Sequence, residues 1–149
     1  MIRYVLAVLL TAAILALGVA AVEYGTTIRG ESEVESAVES IEEAAVDLYA
    51  NADPPPPGGD PPQRLVAVTL PDDSYTSEAA ERITFERVAD KNLTQATAQF
   101  EGRPARVEHI DVPVVGPATT LTGYTGTLTV QLQLVEDDSG PVVEMHLDE

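Results

Sequence analysis

Residues 4–22 read YVLAVLLTAAILALGVAAV, a run without a single charge. No other feature of the chain constrains its fold as much. Nineteen residues in an α-helix extend about 28 Å, close to the roughly 30 Å hydrocarbon core of a bilayer. Thr11 is tolerated there because its hydroxyl can bond back to a helix carbonyl. Tyr4 and Tyr24 bracket the run, at the level where aromatic side chains collect at membrane interfaces. The run therefore reads as a transmembrane helix, with the lipid bilayer as its partner through residues 4–22.

Flanking charge orients this span. Arg3 and the α-amino group lie on the short side, whereas Glu23, Glu31, Glu33 and Glu35 follow the run with Arg29 as the nearby base. The positive-inside rule then places the N-terminus in the cytoplasm and the rest of a single-pass protein outside the cell. A cleavable signal peptide is the rival reading, since Gly18-Val19-Ala20 and Val19-Ala20-Ala21 offer the small residues a peptidase needs. The apolar run is longer than the usual signal-peptide core of roughly 7–15 residues, which favours a retained anchor.

Beyond the run, Val34, Ala37, Ile41, Ala44 and Leu48 recur at spacings of 3, 4, 3 and 4, one apolar stripe of an α-helix. Glu33, Glu35, Glu39, Glu42 and Glu43 fill the other faces. Ser32 with Glu35 fits a capping box that would start this helix, and Gly25 and Gly30 suggest a kink or hinge between it and the anchor. The stripe can serve as a coiled-coil seam, but it is short and alternates with Ala, so packing on the domain's own sheet is the favoured reading. Val34, Ile41 and Leu48 are the residues expected to carry that packing.

The segment DPPPPGGDPP then ends the helix, because proline has no N–H and a proline run adopts extended polyproline II. Strand signals follow: 64–70 (RLVAVTL), 83–88, 94–101 with Ala96, Ala98 and Phe100 on one face, and 105–115 broken at Pro113. Residues 76–82 read as one helical turn. In 127–135 (TLTVQLQLV), Leu128, Val130, Leu132 and Leu134 alternate with Thr and Gln. Asp137-Asp138-Ser139-Gly140 turns the chain into 142–147, with Val143, Met145 and Leu147 inward, which predicts a C-terminal hairpin. The predicted fold is α+β: a transmembrane anchor (1–24), an acidic amphipathic helix (25–52), a Pro-rich spacer (53–63) and a small antiparallel β domain (64–149) on which the amphipathic helix packs.

Charge excludes several functions. The chain carries 25 acidic and 8 basic residues, and Lys91 is its one lysine. A net charge of −17 repels nucleic acid and anionic membrane surfaces. In molar salt the Debye length falls to about 3 Å and self-repulsion is screened, so acidic excess with almost no lysine fits a halophilic protein. The chain has no cysteine, hence no disulfide, thiolate zinc site or acylated anchor.

Chemistry is sparse. His109 and His146 fall on outward strand positions with no ligand-like spacing to other residues. The sequence has no nucleophile elbow and no phosphate-binding glycine loop. Asp72-Asp73-Ser74 with Glu78, and Glu136-Asp137-Asp138, offer oxygens to Ca²⁺, but neither has EF-hand spacing. Asn92-Leu93-Thr94 is a glycosylation sequon in a predicted loop. No catalytic, cofactor-binding or metal residue is predicted, and the chain reads as a non-enzymatic protein without a cofactor.

The order of these segments resembles that of type IV pilin-like proteins. More narrowly, the MIRYVLAVLL start, the DLYANADPPPPGG helix end and the RLVAVTLPDDSYTSE strand and turn resemble a group of uncharacterised haloarchaeal membrane-anchored proteins. The resemblance covers about residues 1–90. Gly18, Glu23 and Tyr24 have the spacing of a Flp-type pilin processing motif, but here the apolar run precedes those residues instead of following them. The resemblance thus implies an accessory or structural protein of a cell-surface assembly, with protein partners in a pilus-like or secretion machinery. An anchored solute- or Ca²⁺-binding module is the alternative, and a domain released by signal peptidase is another.

Overall fold

A computed structural model describes residues 2–148 apart from 57, 75, 76 and 89, and gives only the backbone for 2–7, 20, 22, 23, 26 and 27. One helix, α1 (Ile2–Asn51), is followed by eight strands: β1 (Gln63–Leu70), β2 (Arg82–Val88), β3 (Leu93–Gln99), β4 (Arg106–Ile110), β5 (Val114–Val115), β6 (Thr120–Thr122), β7 (Gly126–Asp137) and β8 (Gly140–Asp148). The α+β class expected from the sequence is the one observed. The single small sheet is corrected to two four-stranded sheets, ordered β1-β7-β8-β5 and β4-β3-β2-β6. The second is antiparallel throughout, whereas β5 joins the first sheet parallel to β8.

The expected helical stripe is the buried face of α1. Val34, Ala37, Ile41 and Leu48 are buried, Ala44 is half-buried, and Val38 and Ala45 widen the stripe. This face touches β1, β7, β8 and β4, so it meets both sheets. Ile41 and Leu48 join one core with Val130, Leu132 and Met145 of the first sheet and Ile83, Phe85, Ala96 and Ala98 of the second. The coiled-coil reading of this stripe is thereby displaced, because the domain itself occupies the seam.

No helix start occurs at Ser32 and no hinge at Gly30. The backbone stays helical from residue 2 to residue 51, so Ser32 lies in mid-helix. Gly30 has a different purpose: a Cβ there would overlap the Glu78 carbonyl oxygen and crowd the Glu78 backbone nitrogen at 3.1 Å. Glycine lets the helix touch the extended segment leading into β2. That segment holds a Ser74–Ser77 bridge in place of the expected helical turn over 76–82, and Ser77 Oγ donates to Glu33 Oε2 at 3.1 Å. Residue 76 lies outside the described residues.

The proline break at 113 is a crossover between the sheets. β4 pairs with β3 in the second sheet, and the chain then passes to the first, where Val143 N–H donates to the Pro113 carbonyl at 2.9 Å. Thr94 pins this crossing. Its fully buried hydroxyl donates to the Val112 carbonyl at 2.9 Å and accepts from Val114 N–H at 2.7 Å. A buried hydroxyl serving two otherwise orphaned backbone groups explains why a threonine occupies a core-facing position.

The C-terminal hairpin forms as its alternation predicts. β7 and β8 pair from Thr129–Asp148 to Asp137–Gly140, with Val130, Leu132 and Leu134 facing Leu147, Met145 and Val143. The other pairing of β7, with β1, joins residues nearly seventy positions apart, such as Gln63 and Gln133. β6 has no counterpart in the sequence reading, because three residues carry too little periodicity to register.

The span expected over 4–22 falls partly on residues whose side chains lie outside the described set, Tyr4 among them. Among the described residues no helix is long and apolar enough to cross a membrane.

Two glycines of α1 should respond oppositely to alanine. Gly30→Ala forces a methyl into the Glu78 backbone and should cost about 1–3 kcal/mol, as overpacking does. Gly25→Ala meets open space and should stabilise the helix by about 0.5–1 kcal/mol. Thr94→Val should cost about 1–3 kcal/mol by orphaning the backbone groups at Val112 and Val114. Thermal unfolding of the whole chain in high salt checks all three, and a tolerated Gly30→Ala would refute the close approach.

Candidate functional site

The residues that sequence reasoning considered for chemistry lie scattered. His109, on β4, is exposed; His146, on β8, stands 3.5 Å from Glu144. Asp137 belongs to the hairpin turn, where it accepts from Ser139 N–H at 2.7 Å and from Arg87 at 2.8 Å. The Ser139 N–H first, and Arg87 after it, hold the Asp137 carboxyl below its usual range. Among the described residues no group of three or more His, Asp or Glu side chains is placed to hold a metal ion.

The sequon also has a structural account. Asn92 takes a left-handed conformation (φ 51°) in the β2–β3 turn, and its Nδ2 donates to Tyr49 Oη at 3.2 Å. Its third residue, Thr94, is the buried crossover pin described above. Asn and Thr are needed at these two positions by the turn and the core, whatever happens to the amide.

Two open depressions flank the domain. One, of about 560 Å³, is lined by Asp73, Ser77, Glu78, Glu101 and Arg103. The other, of about 650 Å³, is a groove between α1 and the edge strand β1, floored by Ser32, Ser36, Ala37, Ser40 and Val68. Both are open to solvent. Of the carboxylates that line the first, Glu78 faces Arg103 at 3.2 Å, and Arg103 also faces Glu31 at 3.8 Å.

Arginine pairs follow a pattern that the sequence did not show. Arg64 of β1 reaches Asp47 of α1 at 3.2 Å, and Arg106 of β4 reaches Glu31 and Glu35 at 3.8 and 3.7 Å. The scarce basic side chains thus clip the helix to an edge strand on each side. These pairs are solvent-accessible and contribute about 0–1 kcal/mol apiece.

Between the clips lies an uncompensated acidic seam. Glu42 of α1 has Asp111, Glu39 and Glu108 as neighbours. Desolvation first, and those like charges second, raise its carboxyl pKa, while the bond from the Asp111 N–H opposes the rise.

The most distinctive surface is the N-terminal part of α1. Val8, Leu9, Leu10, Ile14, Leu15, Leu17 and Val19 are 60–72% exposed, although they are large and apolar. They point in every direction around the helix. A long α-helix with a bare apolar end and a β-sandwich clasping its other end defines a helix-led α+β protein with one apolar extension. The chain belongs to the family described as a domain of unknown function, DUF7311, whose model matches residues 1–148. No curated protein matches it, and no solved structure does.

The Glu42 shift sets the sign of a pH effect. A folded-state pKa above the unfolded one means that the native state holds the extra proton, so stability falls as pH rises between the two values. Glu42→Gln should therefore unfold at a higher temperature than wild type at neutral pH. Below the ordinary carboxylate range the two should coincide, since both side chains are then neutral. Melting curves across pH test this, and a gap that persists in acid would contradict it.

Proposed function

We propose that the chain is a non-enzymatic, membrane-anchored, extracellular accessory or structural protein of a cell-surface assembly in a halophilic organism. The observation that carries this reading is the bare apolar end of α1. Seven large apolar side chains between Val8 and Val19 have no protein partner that would remove them from water. Burying side chains of this size is favourable by about 1.5–3 kcal/mol each, so exposure to water along a whole segment would be costly. The uncharged run over 4–22, which is long enough to cross the hydrocarbon, accounts for it with lipid.

Continuity of α1 adds a mechanical consequence. The helix that enters the bilayer is the same one whose buried stripe organises the core, so the domain is held at a set height with no flexible tether. A close contact with the domain falls at Gly30, eight residues beyond Val22 and about 12 Å further along the helix. The positive-inside reading puts the domain outside, and the pilin-like order of elements suggests a partner in a pilus-like or secretion machinery. The acidic surface supports a high-salt environment, where its repulsion is screened.

A second reading, an anchored Ca²⁺-binding module, is less favoured because among the described residues neither acidic turn, at 72–74 or 136–138, groups three His, Asp or Glu side chains around one point.

Washed membranes should retain the full-length chain after alkaline carbonate extraction. Ile14→Lys with Leu17→Lys should move it to the soluble fraction, since each central lysine costs about 2.5–3.5 kcal/mol on insertion. Ser139→Cys, at the hairpin tip of a chain without cysteine, should react with a membrane-impermeant maleimide in intact cells. Protection of that thiol would reverse the orientation, and a shortened chain in the medium would show the apolar run to be a signal peptide.

A further inference from the structure

Two of the exposed apolar side chains lie on α1 just past the uncharged run. Tyr24 and Ile28 are 70% and 50% exposed, and both lie beyond Val22, where the uncharged run ends. They are one helical turn apart, with no charged residue between them.

Their place on α1 links them to the anchor. Leu10, Ile14, Leu17, Ala21, Tyr24 and Ile28 follow one another at spacings of 4, 3, 4, 3 and 4, the seam repeat of helices that pair in parallel. At about 100° per residue, all six fall within a strip about 80° wide. Every one of them is exposed. Val34, Ala37, Ile41, Ala45 and Leu48, which bind the helix to the sandwich, lie on the other side, about 140° round the axis. The face that binds the domain is therefore not the seam face, and only at Ile28, which also lines the groove beside β1, does the seam come next to the domain.

We infer that this seam is where a second copy of the chain docks, forming a parallel helix pair that starts in the bilayer and ends just above it. The inference rests on the anchor proposed above. Two chains held by the same segment in the same membrane present the same face at the same depth and in the same direction. A two-fold contact then sets each seam residue against its own counterpart. Charge selects both the occupant and the extent. In a chain of net charge −17 the strip from Leu10 to Ile28 carries none, so two copies can approach there without opposed carboxylates. One turn further on, the same strip reaches Glu31 and Glu35, which are tied to Arg106 of their own domain. Like charges facing each other across the axis stop the contact, and the two domains diverge from that point. Ala21, midway along the seam, gives the close approach on which helix pairs in lipid depend.

The test uses the full chain, reconstituted in phosphatidylcholine vesicles in molar KCl, with single cysteines introduced into a protein that has none. Tyr24→Cys and Ile28→Cys lie on the seam; Arg29→Cys, one residue on, lies about 100° away. Mild oxidation should link most of the Tyr24→Cys and Ile28→Cys chains into dimers, several-fold more than Arg29→Cys. Ile28→Glu should abolish linkage through Tyr24→Cys while leaving the melting of the domain unchanged. Vesicle flotation separates the two layers of argument. Chains that float yet cross-link equally at all three positions, or at none, overturn the pairing and leave the anchor standing. Chains that fail to float overturn the anchor and the pairing together.

Discussion

Contact of one helix with both β-sheets is the interaction on which the rest of this structure depends. Neither sheet makes a closed core by itself, and aromatic side chains are too few to fill one. Ile41, Ala45 and Leu48 supply the missing apolar layer, and they are essentially without exposure. Ala37 and Ala45 let the helix lie close to strands carrying Val and Leu, while Ala96 and Ala98 leave room on the opposite sheet. Small residues on both sides of an interface shorten the distance at which dispersion and hydrophobic gains are collected.

Charge acts against this packing and is managed locally. A surface of net charge −17 drives the compact state apart in dilute solution, and the few arginines cannot neutralise it. They are placed where a helix must stay joined to an edge strand: Arg64 beside β1, Arg103 and Arg106 beside β4. Where no arginine is available, as around Glu42, repulsion and burial bear on a single carboxyl. Screening by concentrated salt relieves that seam and weakens the arginine pairs together. Repulsion spread over the whole surface exceeds a handful of exposed pairs, so the balance favours folding in salt.

Continuity of α1 joins the proposed anchor to the domain without a joint. This helix is bare on all sides for about three turns and buried on one side for the next several. Gly30, which at first sight marks a hinge, instead allows a close backbone contact between helix and domain. The consequence for function is that motion or pairing of the helix in the bilayer would be transmitted to the sandwich as a rigid displacement.

Periodicity made much of this legible. The stripe Val34, Ile41, Leu48 and the alternation Val130, Leu132, Leu134 each bury one face of a regular element, and such patterns are local. The hairpin turn at 137–140 is legible for the same reason. The uncharged run over 4–22 and the acidic excess are likewise properties of the sequence by itself, and they constrain where the chain can reside. What only the tertiary structure decided is non-local: that β1 pairs with β7 across more than fifty intervening residues, that β5 runs parallel to β8, that two sheets form where one was expected, that Thr94 pins the crossover, and that Gly30 makes a close contact instead of a hinge. The physical reason is that a side chain's periodicity records which of its faces is covered, whereas the identity of what covers it depends on residues that the chain brings near only after folding.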